Sequence, residues 1–299
     1  MISSTATILA VGAAGKFAGL VVPALADRGV KVRGLVRDGS QGAAVQKLGA
    51  TEIAIGDLRD GASLDAALKG VDAVFYMAPA FLPDEAKIGK GMVASAERAG
   101  VRRFVFSSVI HPILSALGNH AQKAPVEEAV LTSCMEYTFL HPTVFFQNFT
   151  EAWPKIVETG VLAEPWSVDT RFSRVDYREV AEVAAIALTE DRLLNGTFEL
   201  CAEGWLNRKD VAAIIGEVIG RPIKAERIDP KMAAAGAGPG APALTKMFDW
   251  YDKRGLMGSD LTLRAILGRE PRTLRTFFEE LNAGSVGEDE NAGTYVLAR

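Results

Sequence analysis

Two short stretches of this 299-residue chain hold residues whose types and spacing could do chemistry. The first is A-V-G-A-A-G-K-F-A-G, residues 10–19. Gly12 can make a tight turn that a side chain resists, and Gly15 lets the backbone approach a pyrophosphate. The anion would then rest on the N-terminus of the next helix, where unpaired N–H groups and the helix dipole favour negative charge. Ala18 is small enough for the helix to pack on its strand. Gly12, Ala14, Gly15, Lys16 and Phe17 are thus the candidate phosphate-binding residues, and the alternative is a plain strand-to-helix turn. The second stretch is N-H-A-Q-K, residues 119–123. A spacing of four places Asn119 and Lys123 on one face of a helix. Asn119 can donate a hydrogen bond but cannot deliver a proton at neutral pH. His120 titrates near neutrality and could shuttle one; the alternative is a surface helix residue with no part in catalysis.

Further candidates follow from position. Arg37, at the end of the second strand, stands where a carboxylate would bind a ribose 2′-hydroxyl. With Arg33 upstream and Lys16 in the loop, it suits a 2′-phosphate, so NADP(H) is favoured over NAD(H). Asp38, if turned inward, would reverse that preference, and Arg37 could equally be a solvated arginine. Asp57 and Leu58 end the third strand where an adenine would lie, and Asp57 could also cap the helix near Ser63. Ligands of open parallel sheets bind beyond the carboxyl ends of the strands. That rule places Ala78 and Pro79, Ser107 and Ser108, and Pro142, Thr143 and Val144 near a nicotinamide. His111 follows closely and could touch a substrate. Phe81, Phe145, Phe146 and Phe149 gather after the same strand ends and could line a flat apolar slot. At helical spacing such aromatics serve a core equally well.

The elements that must position these residues read as alternating apolar runs and helical patterns. Strands are expected at 6–12, 30–36, 51–57, 71–78, 101–108 and 135–142, and helices at 16–29, 42–50, 62–70, 84–100 and 119–132. Short strands, apolar on both sides and separated by helices, indicate a parallel sheet covered on both faces. After 143 come an aromatic-rich helix at 144–160, an amphipathic helix at 175–190 and a helix at 207–220, with strands at 196–200 and 221–228. A Gly/Ala/Pro segment at 233–243 is expected to be a connector or, less simply, a lid. The fold class is therefore α/β, a Rossmann-type doubly wound sheet with a smaller α/β C-terminal lobe. Residues 1–150 would form the dinucleotide domain, with returning segments near 170–200. Residues 151–282 would form the substrate lobe and 283–299 a flexible tail.

The composition is that of a globular protein, 48% hydrophobic and 23% charged, with a net charge of −4. It offers no basic footprint for nucleic acid. Cys134 and Cys201 are each expected as buried reduced thiols, and they and the three histidines lack metal-ligand spacing. No apolar run reaches the roughly 20 residues a membrane span needs. The expected compartment is the cytoplasm and the expected state a monomer or homodimer.

The segments ILAVGAAGKFAGLVVPALADRGVKVRGLVRD, IGDLRD, VDAVFYMAP, AGVRRFVFSSV, HAQKAPVEE and MEYTFLHPTVFFQNF, continued by FSRVDYREVAEVAAIAL and LGREPRTLRTFFEE, resemble the NmrA-like family of atypical short-chain dehydrogenases. The likeness runs to about residue 281. It implies NAD(P) binding, a Rossmann-type domain and a smaller lobe closing a substrate cleft. In the wider short-chain dehydrogenases a Tyr-x-x-x-Lys pair supplies the acid and holds the nicotinamide ribose. The matching pair here is Asn119 and Lys123, a departure usual in the NmrA-like group, so Lys123 keeps ribose binding and the tyrosine acid is missing. Members range from quinone and dye reductases to regulators that sense the nicotinamide pool. A quinone needs hydrogen bonds more than a strong acid, whereas a ketone needs a proton. The expected activity is therefore NAD(P)H-dependent hydride transfer to a quinone or other small planar aromatic, with oxygen-dependent hydroxylation as a follow-on variant. The alternative is a non-catalytic dinucleotide sensor.

Overall fold

The computed structural model describes residues 5–79 and 81–284. The first half runs β1 (Thr7–Val11), α1 (Val21–Ala26), β2 (Lys31–Val36), α2 (Gly42–Lys47), β3 (Glu52–Ile55), α3 (Gly61–Leu68), β4 (Ala73–Met77), α4 (Glu85–Arg98), β5 (Arg103–Ser107), α5 (Gly118–Ala121), α6 (Ala124–Leu131) and β6 (Glu136–Pro142). The second half runs β7 (Val144–Phe145), α7 (Asn148–Thr159), β8 (Val161–Glu164), β9 (Arg174–Val175), α8 (Tyr177–Thr189), β10 (Gly196–Leu200), α9 (Arg208–Ile219), β11 (Lys224–Arg227), α10 (Pro230–Ala234), α11 (Ala241–Lys253), α12 (Leu261–Leu267) and α13 (Leu274–Asn282). Seven strands form one sheet in the order β10-β6-β5-β4-β1-β2-β3, every pairing parallel. This is the doubly wound arrangement, reversing its strand order beside β1.

Side-chain alternation along β1 explains the layering. Ile8 and Ala10 face one apolar layer, shared with α1 and α8. Leu9 and Val11 face the other, shared with α3, α4 and α6. All five residues of β1 are buried, as a strand covered on both faces requires. A separate apolar cluster joins Phe149, Trp153 and Ile156 of α7, Val211 and Ile215 of α9, and Phe277 and Phe278 of α13. It forms the core of the smaller lobe, beside the two-stranded sheet β8–β11.

Several elements differ from the sequence reading. The helix expected at 16–29 opens as a 3₁₀ turn at Ala18–Leu20 and becomes α-helical at Val21. The helix expected over 119–132 breaks into α5 and α6, because Pro125 in the first turn of α6 has no N–H with which to continue α5. The helix at 175–190 is buried almost all round, not amphipathic, since α8 lies under the sheet against α1. The connector at 233–243 is helical, a 3₁₀ turn at Ala235–Gly240 leading into α11. Cys134 is exposed in the turn before β6, whereas Cys201 is buried. The tail from residue 285 lies outside the described residues. No helix of the described residues is long and apolar enough to cross a membrane.

An extended segment, 254–259, ties the lobes together. Gly258 N donates to Ser173 Oγ at 3.0 Å, and its carbonyl accepts from Trp205 Nε1 at 3.0 Å. Its two glycines have no room for a side chain. A Cβ on Gly255 would lie 1.6 Å from the Arg171 carbonyl oxygen, and one on Gly258 2.5 Å from Cys201 Sγ.

Candidate active site

The phosphate loop has the predicted turn. Gly12 takes φ +80°, its carbonyl accepts the Gly15 N–H at 2.8 Å, and a Cβ on it would meet Ala18 Cβ at 3.1 Å. Ala14 is half-buried beside it. Lys16 is drawn across to the smaller lobe, its Nζ 2.8 Å from Glu151 Oε1 on α7. Phe17 turns inward and meets Phe145 and Tyr177, with ring centroids 4.8 and 5.6 Å away.

Near the expected adenine position, Arg37 is exposed at the end of β2. Asp38 turns away from the sheet edge to cap the 3₁₀ turn Gly39–Gln41, accepting the Ser40 N–H at 2.8 Å. That hydrogen bond holds its carboxyl below the usual range. Arg33 serves the sheet edge instead of a phosphate: its guanidinium binds Glu52 and the carbonyls of Ala67 and Lys69. Asp57 accepts from the Arg59 N–H, and α3 is capped by Asp60, not Asp57. Leu58 lines a cavity of 190 Å³ with Arg59, Leu64, Asp84 and Ile88, where the adenine was expected. A 610 Å³ cavity between α9 and β11 belongs to the smaller lobe and touches none of these strand ends.

Near the expected nicotinamide position, Ala78 is buried and Pro79 half-buried after β4. Successive residues after β5 face opposite sides of the sheet. Ser107 Oγ lies 3.1 Å from Tyr177 Oη of α8, while Ser108 Oγ donates to Glu127 Oε1 of α6 on the other side. His141 Nε2 lies 3.0 Å from the same Glu127 oxygen. Pro142 is buried at the end of β6, Thr143 donates to the Ser173 carbonyl at 2.9 Å, and Val144 is half-buried.

The 119–123 stretch is arranged differently from one helix face. Lys123 is buried at the junction of α5 and α6 and donates to Glu85 Oε1 in the first turn of α4. Gln122 Oε1 accepts the Ala86 N–H at 2.9 Å beside that pair. The close approach depends on Gly89, whose Cβ would lie 2.4 Å from Val126 Cγ2. Burial pushes the Glu85 carboxyl up, and the Lys123 charge pulls it part of the way back. Asn119 is half-buried. His120 is neither exposed nor poised near neutrality. It is 1% exposed, its Nδ1 lies 3.2 Å from the His111 carbonyl oxygen, and burial lowers its pKa to about 4. The carbonyl is an acceptor, so Nδ1 carries the proton and the ring is neutral at pH 7.

His111 and Phe81 both take positive φ, +52° and +66°, uncommon for such side chains. His111 Nε2 lies 3.1 Å from the Met257 carbonyl oxygen. Phe81 adjoins Gly240, where a Cβ would be 3.8 Å from its own. Phe146 and Phe149 do not reach the cleft. They are buried in the smaller lobe, against Phe277 and Phe278 at 5.6 and 5.1 Å, because the chain turns into α7 and aims them away from the sheet edge.

The structure adds Glu85, Glu127, His141 and Tyr177, none of them singled out from the sequence. The spacing K-A-P-V-E, residues 123–127, was the available signal for Glu127: four residues put it on the Lys123 face. Among the described residues no group of three or more His, Cys, Asp or Glu could hold a metal ion.

Comparison with known proteins agrees with this architecture. The NAD(P)H azoreductase of Xenophilus azovorans is 30% identical over 285 residues, 90% of this chain and 96% of that protein. The triphenylmethane reductase of Citrobacter sp., solved with NADP(H), superposes with a TM-score of 0.81 at 22% identity, covering 93% of this chain and 99% of that one. The NADPH-dependent quinone oxidoreductase QOR2 of Escherichia coli, solved with NADPH, gives 0.80 at 22% identity, covering 92% and 99%. At such identities the two structures show a shared fold. Residues 4–280 match the NmrA-like family along nearly the whole length, and the chain belongs to that family.

Proposed function

We propose that this protein transfers a hydride from NADPH to a quinone or another planar aromatic acceptor. One observation carries the reading: the carboxyl edge of the sheet has a dinucleotide loop at β1 and, beyond β5, hydrogen-bonding groups without a phenol at position 119. The loop fits the cofactor, since Gly12 leaves open the space a Cβ would fill against Ala18. Arg37 outside and Asp38 committed to its cap favour a 2′-phosphate, and NAD(H) is the weaker ligand. The azoreductase and quinone oxidoreductase relatives support an aromatic acceptor.

The bound nicotinamide supplies the hydride. Lys123, paired with Glu85 at the start of α6, would turn its remaining N–H donors to the ribose hydroxyls. Gly12, Gly15 and the turn at Ala18 take the pyrophosphate. Phe81 and Phe145 offer apolar surface to the acceptor, and Ser108 offers a hydrogen bond to its reduced oxygen. A hydroquinone anion is weakly basic, so such donors suffice where an alkoxide would need a strong acid. The proposed reaction is hydride transfer with no oxygen-dependent step. The test is NADPH oxidation with a naphthoquinone and an azo dye. Turnover at least tenfold faster than with a simple ketone is expected. Tight binding of both NADPH and NADP⁺ with no turnover would establish the sensor reading instead.

A further inference from the structure

On the α6 side of the sheet, a serine, a carboxylate and an imidazole share one oxygen. Ser108 Oγ donates to Glu127 Oε1, and His141 Nε2 lies 3.0 Å from that atom. The fold makes this meeting obligatory. His141 lies two residues after Phe139 on β6 and so shares its face, which packs in the α6 layer. Ser108 follows Ser107, which bonds Tyr177 on the opposite side, so Ser108 points toward α6. Glu127 lies four residues beyond Lys123, about 6 Å further along α6. Ser108 and His141 are each 7% exposed. Both neighbours meet Glu127 at the same oxygen, so its carboxylate bridges His141 to a hydroxyl at the end of β5, where the acceptor is expected.

We propose that Ser108, Glu127 and His141 form the proton relay of this site, replacing the phenol that position 119 lacks. The inference rests on the reductase reading. As the hydride pair from the nicotinamide reaches the acceptor, negative charge develops on its oxygen. The Ser108 O–H bond breaks and its proton goes to that oxygen. His141, protonated on both ring nitrogens before turnover, passes its Nε2 proton to the Glu127 carboxylate, which hands it on to Ser108 Oγ and leaves His141 a neutral imidazole. His141 then recovers a proton from water. One hydride and one proton are consumed, and the product is the two-electron-reduced hydroquinone. Ser108 is the catalytic residue, touching the substrate; Glu127 and His141 act through it.

The test uses the full-length protein with NADPH and a naphthoquinone. Glu127→Gln keeps a hydrogen-bonding side chain of the same size and cannot cycle a proton. It is expected to lower kcat roughly 10²-fold, the lower end for general acid–base catalysis, with KM and NADPH affinity unchanged. Glu127→Asp should regain part of the loss. In the unaltered protein, single-turnover rates in mixed H₂O and D₂O should fall along a bowed curve, the sign of more than one proton in flight; this measurement does not depend on any variant folding. Unchanged kcat in Glu127→Gln, or a solvent isotope effect of unity, overturns the relay while leaving the reductase intact. Failure of the unaltered protein to turn over any quinone or azo dye overturns both.

Discussion

Replacing Lys123 by methionine would remove the cation from a buried pair and leave the Glu85 carboxyl without it. Glu85 is fully buried and Lys123 nearly so, and the Glu85 carboxyl already lies above its usual range through desolvation. Breaking one side of a buried pair costs about 3–5 kcal/mol, because the remaining charge is uncompensated. Unfolding entropy of roughly 2.1 cal/mol/K per residue, over about 280 residues, gives about 0.6 kcal/mol/K, so Tm should fall by about 5–8 °C. The pH dependence has a definite sign. Without Lys123 the folded-state pKa of Glu85 rises further above its unfolded value, so the folded form binds the proton more readily. Stability of the variant is then fuller at low pH and is lost as pH rises through that folded-state pKa. The deficit against the unaltered protein should shrink between neutral pH and about pH 5, within the window that opens above the unfolded carboxylate value near 4.3. Adding Glu85→Gln should recover most of the loss. Thermal unfolding of the single and double variants at both pH values measures all of this. A single variant within about 1 °C of the parent at pH 7, or a deficit identical at the two pH values, would refute the reasoning about the pair.

Gly12→Val puts a branched side chain at φ +80° against Ala18; it should abolish dinucleotide binding, read by quenching of protein fluorescence. Arg37→Ala should weaken NADPH by about tenfold or more, the scale of one charged hydrogen bond, and leave NADH unchanged; equal effects on both would remove Arg37 from the 2′-phosphate. Phe146→Ala should cost about 3–5 kcal/mol in denaturant titration while KM for a naphthoquinone stays constant, since the ring belongs to the smaller lobe's core. His120 has its folded-state pKa lowered to about 4, so the stability tied to its neutral ring is present above about pH 6.5 and is lost as pH falls toward 4. His120→Gln should flatten that part of the stability–pH curve without introducing an inflection in the rate near neutrality.

The sheet, its parallel pairing and the loop at Gly12 were legible because they depend on local signals: short runs apolar on both sides, and glycines at fixed offsets before a helix. Lys123 was singled out through its spacing from position 119, although the two sit on separate helical pieces. Its partner was not, because Glu85 lies 38 residues away in sequence and only the packing of Gly89 on Val126 brings α4 close enough. His120 misled for the same reason, since its burial depends on the loop from His111 folding over it. Phe146 and Phe149 misled through a local ambiguity: aromatics at helical spacing look alike whether they face a cleft or a lobe core. The direction of α7 decides, and contacts with α13, some 130 residues later, set that direction.

The segment at 254–259 constrains how this protein can change over generations. Neither Gly255 nor Gly258 can gain even a methyl group without striking the Arg171 backbone or Cys201. Change over generations therefore has to leave these two positions as glycine and proceed elsewhere in the chain. Libraries that randomise Gly255 or Gly258 will yield mostly unfolded variants there, whereas libraries that spare them keep the tie to Ser173 and Trp205.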